Sequence, residues 1–170
     1  GATAAVAAIL AAEIPGLDAA MLERAANAAA ESAKAVPAAP DLPALLDELR
    51  AAGRALGVAT HDGEAAARAH LAAAGALDRF AFVAGYDSGH GLKPGPGMVL
   101  AFAEAAGIAP ETVVMVGDSL HDLGAARAAG AALAVAVLTG PATEADLAPH
   151  ADAVLHSIAA LPGFLTARGL

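Results

Sequence analysis

The chain has 170 residues, enough for one ordinary domain with a substantial core and a small appendage. Its formal charge of −9, from 18 acidic residues against 9 Lys and Arg, argues against nucleic acid or an anionic membrane as a main partner. The absence of Cys excludes disulfides, zinc thiolates and thiol catalysis and fits a cytoplasmic protein. No apolar stretch approaches the ~20 residues that span a bilayer, and the N-terminus lacks a charged region ahead of an apolar run, so we expect neither anchor nor signal peptide. Ala supplies most of the 58% hydrophobic content, with four Phe, one Tyr and no Trp, which points to a helix-rich, closely packed chain.

In chain order, residues 2–13 and 17–36 are Ala-rich with larger apolar residues at helical spacings, and two helices are expected there around Pro15-Gly16. The three prolines of 37–43 mark a linker, so 1–40 reads as a separate helical segment and 41–170 as the main domain. A helix over 43–52, opened by Asp41, leads to a buried strand at 55–60. A helix over 63–74 precedes a strand at 80–85, and the Gly/Pro-rich loop 86–97 precedes a helix over 97–106. A strand at 112–117, a helix at 120–129, a strand at 132–140 and a short strand at 151–157 complete the pattern. Continuous apolar strands alternating with helices indicate an α/β fold, a Rossmann-like parallel sheet covered on both faces, in which ligands gather at the carboxyl ends of the strands.

Polar residues stand at three of those ends. Thr60-His61-Asp62 follows one strand and Asp118-Ser119 another, while the loop after a third delivers Lys93 ahead of Pro94. Each has an ordinary structural explanation. Thr60 or Asp62 can cap the helix beginning near Gly63; Asp118 and Ser119 can cap the helix at 120, with Asp122 a first-turn acid favoured by the helix dipole; Lys93 can be a solvated surface residue. Taken together they suit phosphate chemistry with a divalent cation. Asp118 offers a direct ligand to a hard ion such as Mg²⁺, and Asp122, one turn later, holds a metal-bound water or orients the loop. Thr60 and nearby backbone N–H groups suit phosphate oxygens, His61 stands beside them, and Lys93 neutralises charge developing in the transition state. His90 and Asp87 lie in the loop before Lys93, and His150, His156 and Arg127 read as surface residues.

These motifs resemble those of the haloacid dehalogenase-like (HAD) hydrolases, most of which are Mg²⁺-dependent phosphatases. "GVATHD" is similar to their second motif, "GLKPGPG" to the third, and "VMVGDSLHDLGAARAAG" to the fourth, in the right order over about residues 41–160. The phosphoglycolate phosphatase-like branch, with a helical cap inserted early in the chain, is nearest in appearance. The resemblance implies that Asp118 and Asp122 serve the metal, that Thr60, His61 and Lys93 bind phosphate, and that Thr60 and Lys93 take part in catalysis on a small phosphorylated metabolite. Residues 1–40 would be part of the cap.

The family's first motif, Asp-x-Asp-Gly-Thr, supplies the nucleophilic aspartate and the central strand; it does not occur in the 170 residues. The sheet is therefore expected to lack its N-terminal central strand, the chain being an incomplete phosphatase that works through an aspartyl-phosphate. The alternative is a non-catalytic protein that keeps the metal and phosphate shell. A receiver-type signalling domain, which also places acids, Thr and Lys at strand ends, fits the Gly-Asp-Ser-x-x-Asp turn and the Lys-Pro-x-Pro loop less well.

Overall fold

The computed structural model describes residues 7–11 and 41–170. The described strands form one parallel sheet of six, β1 (Ala7–Ala11), β2 (Leu56–Ala59), β3 (Phe82–Ala84), β4 (Val113–Gly117), β5 (Leu133–Val137) and β6 (Ala153–Leu155), in the order β3-β2-β1-β4-β5-β6. The helices are α1 (Leu42–Ala51), α2 (Glu64–Ala73), α3 (Gly97–Ala106), α4 (Leu120–Ala129), α5 (Glu144–Leu147) and α6 (Leu161–Ala167).

Strand β1 corrects two expectations. Residues 7–11 are a strand rather than part of a helix over 2–13, and they occupy the central position that the sheet was expected to lack. Ala favours helix in isolation, but a segment hydrogen-bonded on both sides by buried strands takes its conformation from the sheet, and tertiary context overrides propensity. The helix expected over 17–36 and the cap assignment for 12–40 lie outside the described residues.

The strand residues alternate between two cores. Val58, Val114, Val116 and Val135 pack with Leu45, Leu46, Leu49, Leu71, Leu161 and Leu165 on one face. Ala59, Met115, Ala134 and Ala136 pack with Met98, Phe102, Leu123 and Leu147 on the other. Period-two alternation in strands covered on both faces gives the expected three-layer α/β/α arrangement.

Local chemistry explains most element boundaries. Asp41 caps α1 by accepting from the Ala44 N–H at 3.2 Å, and the first turn of that helix tolerates Pro43. Helices α3 and α4 both end on glycines in the left-handed conformation, Gly107 and Gly130, which satisfy carbonyls of the last turn. Helices α5 and α6 have no counterpart among the expected elements, since one is a single turn and the other opens with Leu161-Pro162-Gly163, residues that read as a turn.

Gly57 shows how tightly the second core is set. A Cβ there would lie 2.5 and 2.8 Å from ring carbons of Phe102, a fully buried side chain. Gly57→Ala is expected to cost about 1–3 kcal/mol by overpacking, measured by urea denaturation. In the Gly57→Ala background, Phe102→Leu should cost less than it does alone; strict additivity of the two losses would refute the contact as the cause.

Candidate active site

The order of the strands places a topological switch between β1 and β4, where parallel sheets of this kind open a crevice at their carboxyl edge. The register sharpens the location. Leu10 pairs with Val58 on one side and with Val116 on the other, so β2 and β4 run level across β1. Counting two residues further, Thr60 and Asp118 stand at the same height on either side of the end of β1. Both are buried.

Lys93 joins them from the loop before α3. Its Nζ donates to the Asp122 Oδ1 at 2.6 Å and to the Ala59 carbonyl at 3.0 Å, and both partners of the ion pair are almost entirely withdrawn from solvent. Lys93 is thus no solvated surface lysine. The loop that carries it is seated against α4, where a Cβ at Gly124 would come within 2.8 Å of Pro94. Gly124, in the second turn of α4, makes room for the lysine loop.

Asp122 engages both of its carboxylate oxygens within the protein. Besides the bond to Lys93, its Oδ2 accepts from the Asp118 N–H at 3.1 Å, the Ser119 N–H at 3.2 Å and the Ser119 hydroxyl at 3.0 Å. The Ser119 Oγ accepts in return from the Asp122 N–H at 3.3 Å, completing a capping box on α4. Both Asp122 oxygens are thus engaged within the protein, one by the lysine ammonium and the other by the turn that follows β4.

Asp118 is the carboxylate best suited to a hard cation. Glycine backbone closes in around this acid pair: a Cβ at Gly140 would run into the Asp118 carboxylate, and one at Gly117 into that of Asp122. Oxygen donors from a rigid strand end fit Mg²⁺, which keeps water and phosphate in its remaining positions. Among the described residues no group of three or more His, Asp or Glu is arranged to hold a metal, so a cation here would depend on such outside ligands. Gly140 was not singled out from the sequence, where it closes the strand expected over 132–140; the strand itself stops at Val137.

The hydrogen bonds at the start of α2 differ from expectation. Neither Thr60 nor Asp62 caps it. The Thr60 Oγ1 accepts from the Asp62 N–H at 2.8 Å, and the helix begins at Gly63 with the Glu64 N–H donating to the Asp87 Oδ1 at 2.9 Å. Ser88 donates to the Glu64 Oε2 at 2.6 Å and accepts from the Gly85 N–H. The Ser88 hydrogen bond, with that from Arg68, holds the Glu64 carboxyl below the ordinary glutamate range. Asp87 therefore fastens the β3 loop to α2.

His61 lies at the same edge of the sheet, directly after Thr60, and the other candidates are dispersed. The His61 ring is exposed and packs near His121, a residue not singled out from the sequence. His90 lies near Phe82, with ring centroids 5.8 Å apart. Arg127 is exposed as expected but bonds to Asp152 at 3.0 Å and to the His150 carbonyl. His156 is exposed.

The ion pair predicts an asymmetry in stability. Asp122→Ala strips a buried ammonium of its counter-ion and leaves the loop amides unmet, at a cost of about 3–5 kcal/mol. Lys93→Met leaves the Asp122 carboxylate with the two amides and the Ser119 hydroxyl and should cost less, as read from urea denaturation of both variants. The opposite order would show that the loop does not depend on Asp122.

Comparison with known proteins adds an independent line. The haloacid dehalogenase-like hydrolase family model matches residues 7–136. Phosphoglycolate phosphatase from Rhodospirillum rubrum is 38% identical over 96 residues, which are 56% of this chain and 40% of that protein. The enzyme from Escherichia coli K12 is 37% identical over 91 residues, 54% of this chain and 36% of that protein. The matched stretch thus spans about two-fifths of the length of these curated relatives. Among solved structures, a HAD phosphatase from Thermococcus onnurineus is 31% identical with a TM-score of 0.65, covering 74% of this chain and 57% of that one. A HAD family hydrolase from Deinococcus radiodurans, crystallised with bound phosphate and sodium, shares the fold at 21% identity with a TM-score of 0.75, covering 97% and 96%. A single family match takes in the central strand, the strand end at Thr60, the Lys93 loop and the Asp118 turn: the chain belongs to the haloacid dehalogenase-like hydrolases.

Proposed function

We propose that the protein is a Mg²⁺-dependent phosphatase acting on a small organic phosphate monoester, with 2-phosphoglycolate as the first substrate to test. The observation that carries this reading is the buried Lys93–Asp122 pair set beside Thr60 and Asp118 at the switch point of the sheet. A buried lysine held by an acid and a carbonyl is costly to build and is suited to stabilising charge that develops on a transferring phosphoryl group. Support also comes from the phosphoglycolate phosphatases among the relatives.

In this reading the Thr60 hydroxyl and the backbone N–H groups around His61 receive the phosphate oxygens. Lys93 neutralises charge on the phosphate and on the attacking group. Asp118 would hold the cation, and Asp122 keeps the turn and the lysine in place. When bound, Mg²⁺ supplies charge neutralisation at the phosphoryl oxygens. In the aspartyl-phosphate route a carboxylate from outside the described residues would attack phosphorus as the alcohol leaves, and water would then release phosphate, with residues 12–40 contributing to a cap over the crevice.

One observation favours a second reading. The sequence contains no Asp-x-Asp-Gly-Thr, and the residues that follow β1 in the sequence are Ala12 and Glu13, so the aspartyl-phosphate calls on a carboxylate that the described residues do not supply. A protein that binds phosphate and metal without turnover satisfies that observation directly.

Phosphate release from 2-phosphoglycolate, measured alongside calorimetric binding of inorganic phosphate in Mg²⁺, separates the two. The expected result is release that falls by about 100-fold or more in Asp118→Asn with the far-UV circular dichroism unchanged. Phosphate binding with no release from any of a broad panel of esters selects the binding protein. Failure to bind phosphate at all removes both.

A further inference from the structure

His61 and His121 reach the crevice from opposite sides. His61 directly follows Thr60 beyond β2, and His121 sits in the first turn of α4, beyond β4. Because β1 lies between those two strands, the imidazoles meet across the end of the central strand, with ring centroids 5.7 Å apart and planes inclined by 60°. Both residues are exposed, and the phosphoryl chemistry described above uses neither ring.

The separation has a chemical meaning. Two imidazoles sharing one Zn²⁺ through bonds of about 2.0–2.1 Å hold their ring centroids about 5 Å apart at a tetrahedral angle. The observed 5.7 Å is close to that spacing, and both side chains are exposed. A cation on the rings is compatible with the charge nearby, since Asp62 follows His61 in the sequence and the whole chain carries −9. Imidazole nitrogen also selects among cations: Mg²⁺ prefers oxygen, whereas Zn²⁺, Ni²⁺ and Cu²⁺ take histidine.

We propose that His61 and His121 form a two-histidine clip for a borderline divalent cation of the Zn²⁺ or Ni²⁺ class, seated across the mouth of the crevice and distinct from the oxygen-donor position at Asp118. With two protein ligands rather than three, water completes the coordination and binding is reversible. A cation held there covers the end of β1, so its occupancy opposes entry of a phosphate ester.

Calorimetric titration of tag-free protein with Zn²⁺, in a millimolar excess of Mg²⁺, tests the clip without recourse to activity. One Zn²⁺ should bind per chain, and His61→Gln and His121→Gln should each weaken it at least about tenfold, because either change removes chelation. The doubly substituted His150→Gln/His156→Gln protein should bind as the parent does, and Co²⁺ in place of Zn²⁺ should give a visible absorption band that both clip variants lose. Circular dichroism of the clip variants should match the parent, since both rings are exposed. Zn²⁺ binding that is unchanged in either clip variant, absent in the parent, or displaced by the Mg²⁺ excess overturns the proposal.

Discussion

The ion pair between Lys93 and Asp122 holds three separate pieces of chain in one place. The lysine belongs to the loop ahead of α3, the aspartate to the first turn of α4, and the second acceptor of the ammonium, the Ala59 carbonyl, to the end of β2. Burying both charges carries a desolvation penalty that a single contact would not offset. Here the carboxylate is also saturated by the Asp118 and Ser119 amides and the Ser119 hydroxyl, which orients it and fixes where Asp118 emerges from β4. The arrangement specifies the geometry of the site more than it adds to stability.

Packing around the pair follows from residue size. The lysine loop can approach α4 because Gly124 presents no side chain to Pro94, and the carboxylates of Asp118 and Asp122 lie where Gly140 and Gly117 leave room. The same logic extends into the second core, where the small residues Gly57, Ala59, Ala134 and Ala136 face the bulky Phe102, Met98 and Leu123. Small residues that look like weak strand formers are thus what lets large helix side chains and the site loops come close.

The chemistry divides by donor type. Oxygen donors lie deep at Asp118 and Thr60, the ammonium is held beside them by Asp122, and imidazoles stand at the rim. Family membership places these elements in a hydrolase lineage, while the matched stretch covers about two-fifths of the curated relatives.

Much of this was legible in the residues. The apolar runs ending in Thr60 and Asp118, and the Lys-Pro loop between them, identified β2, β4 and the convergence of a hydroxyl, an acid and an ammonium, because parallel strands all present their carboxyl ends to one edge. Ser119 was legible as a helix cap and Asp122 as a first-turn acid, while the reciprocal capping box between them emerged from the structure. Other features rest on contacts between residues far apart in the chain. The conformation of Ala7–Ala11 is one, since an Ala-rich run favours helix until β2 and β4 hydrogen-bond to it from both sides. The cap that Asp87 places on α2, the approach of Gly140 to Asp118, and the meeting of His61 with His121 across 60 residues are others. By itself the sequence determined the fold class, the order of the strand ends and the chemical identity of the groups they carry, because these depend on local pattern and residue type. Only the tertiary structure decided which segment fills the centre of the sheet, which acid braces the lysine and which two histidines face one another, because hydrogen-bond saturation and close packing are set by neighbours that the linear order keeps apart.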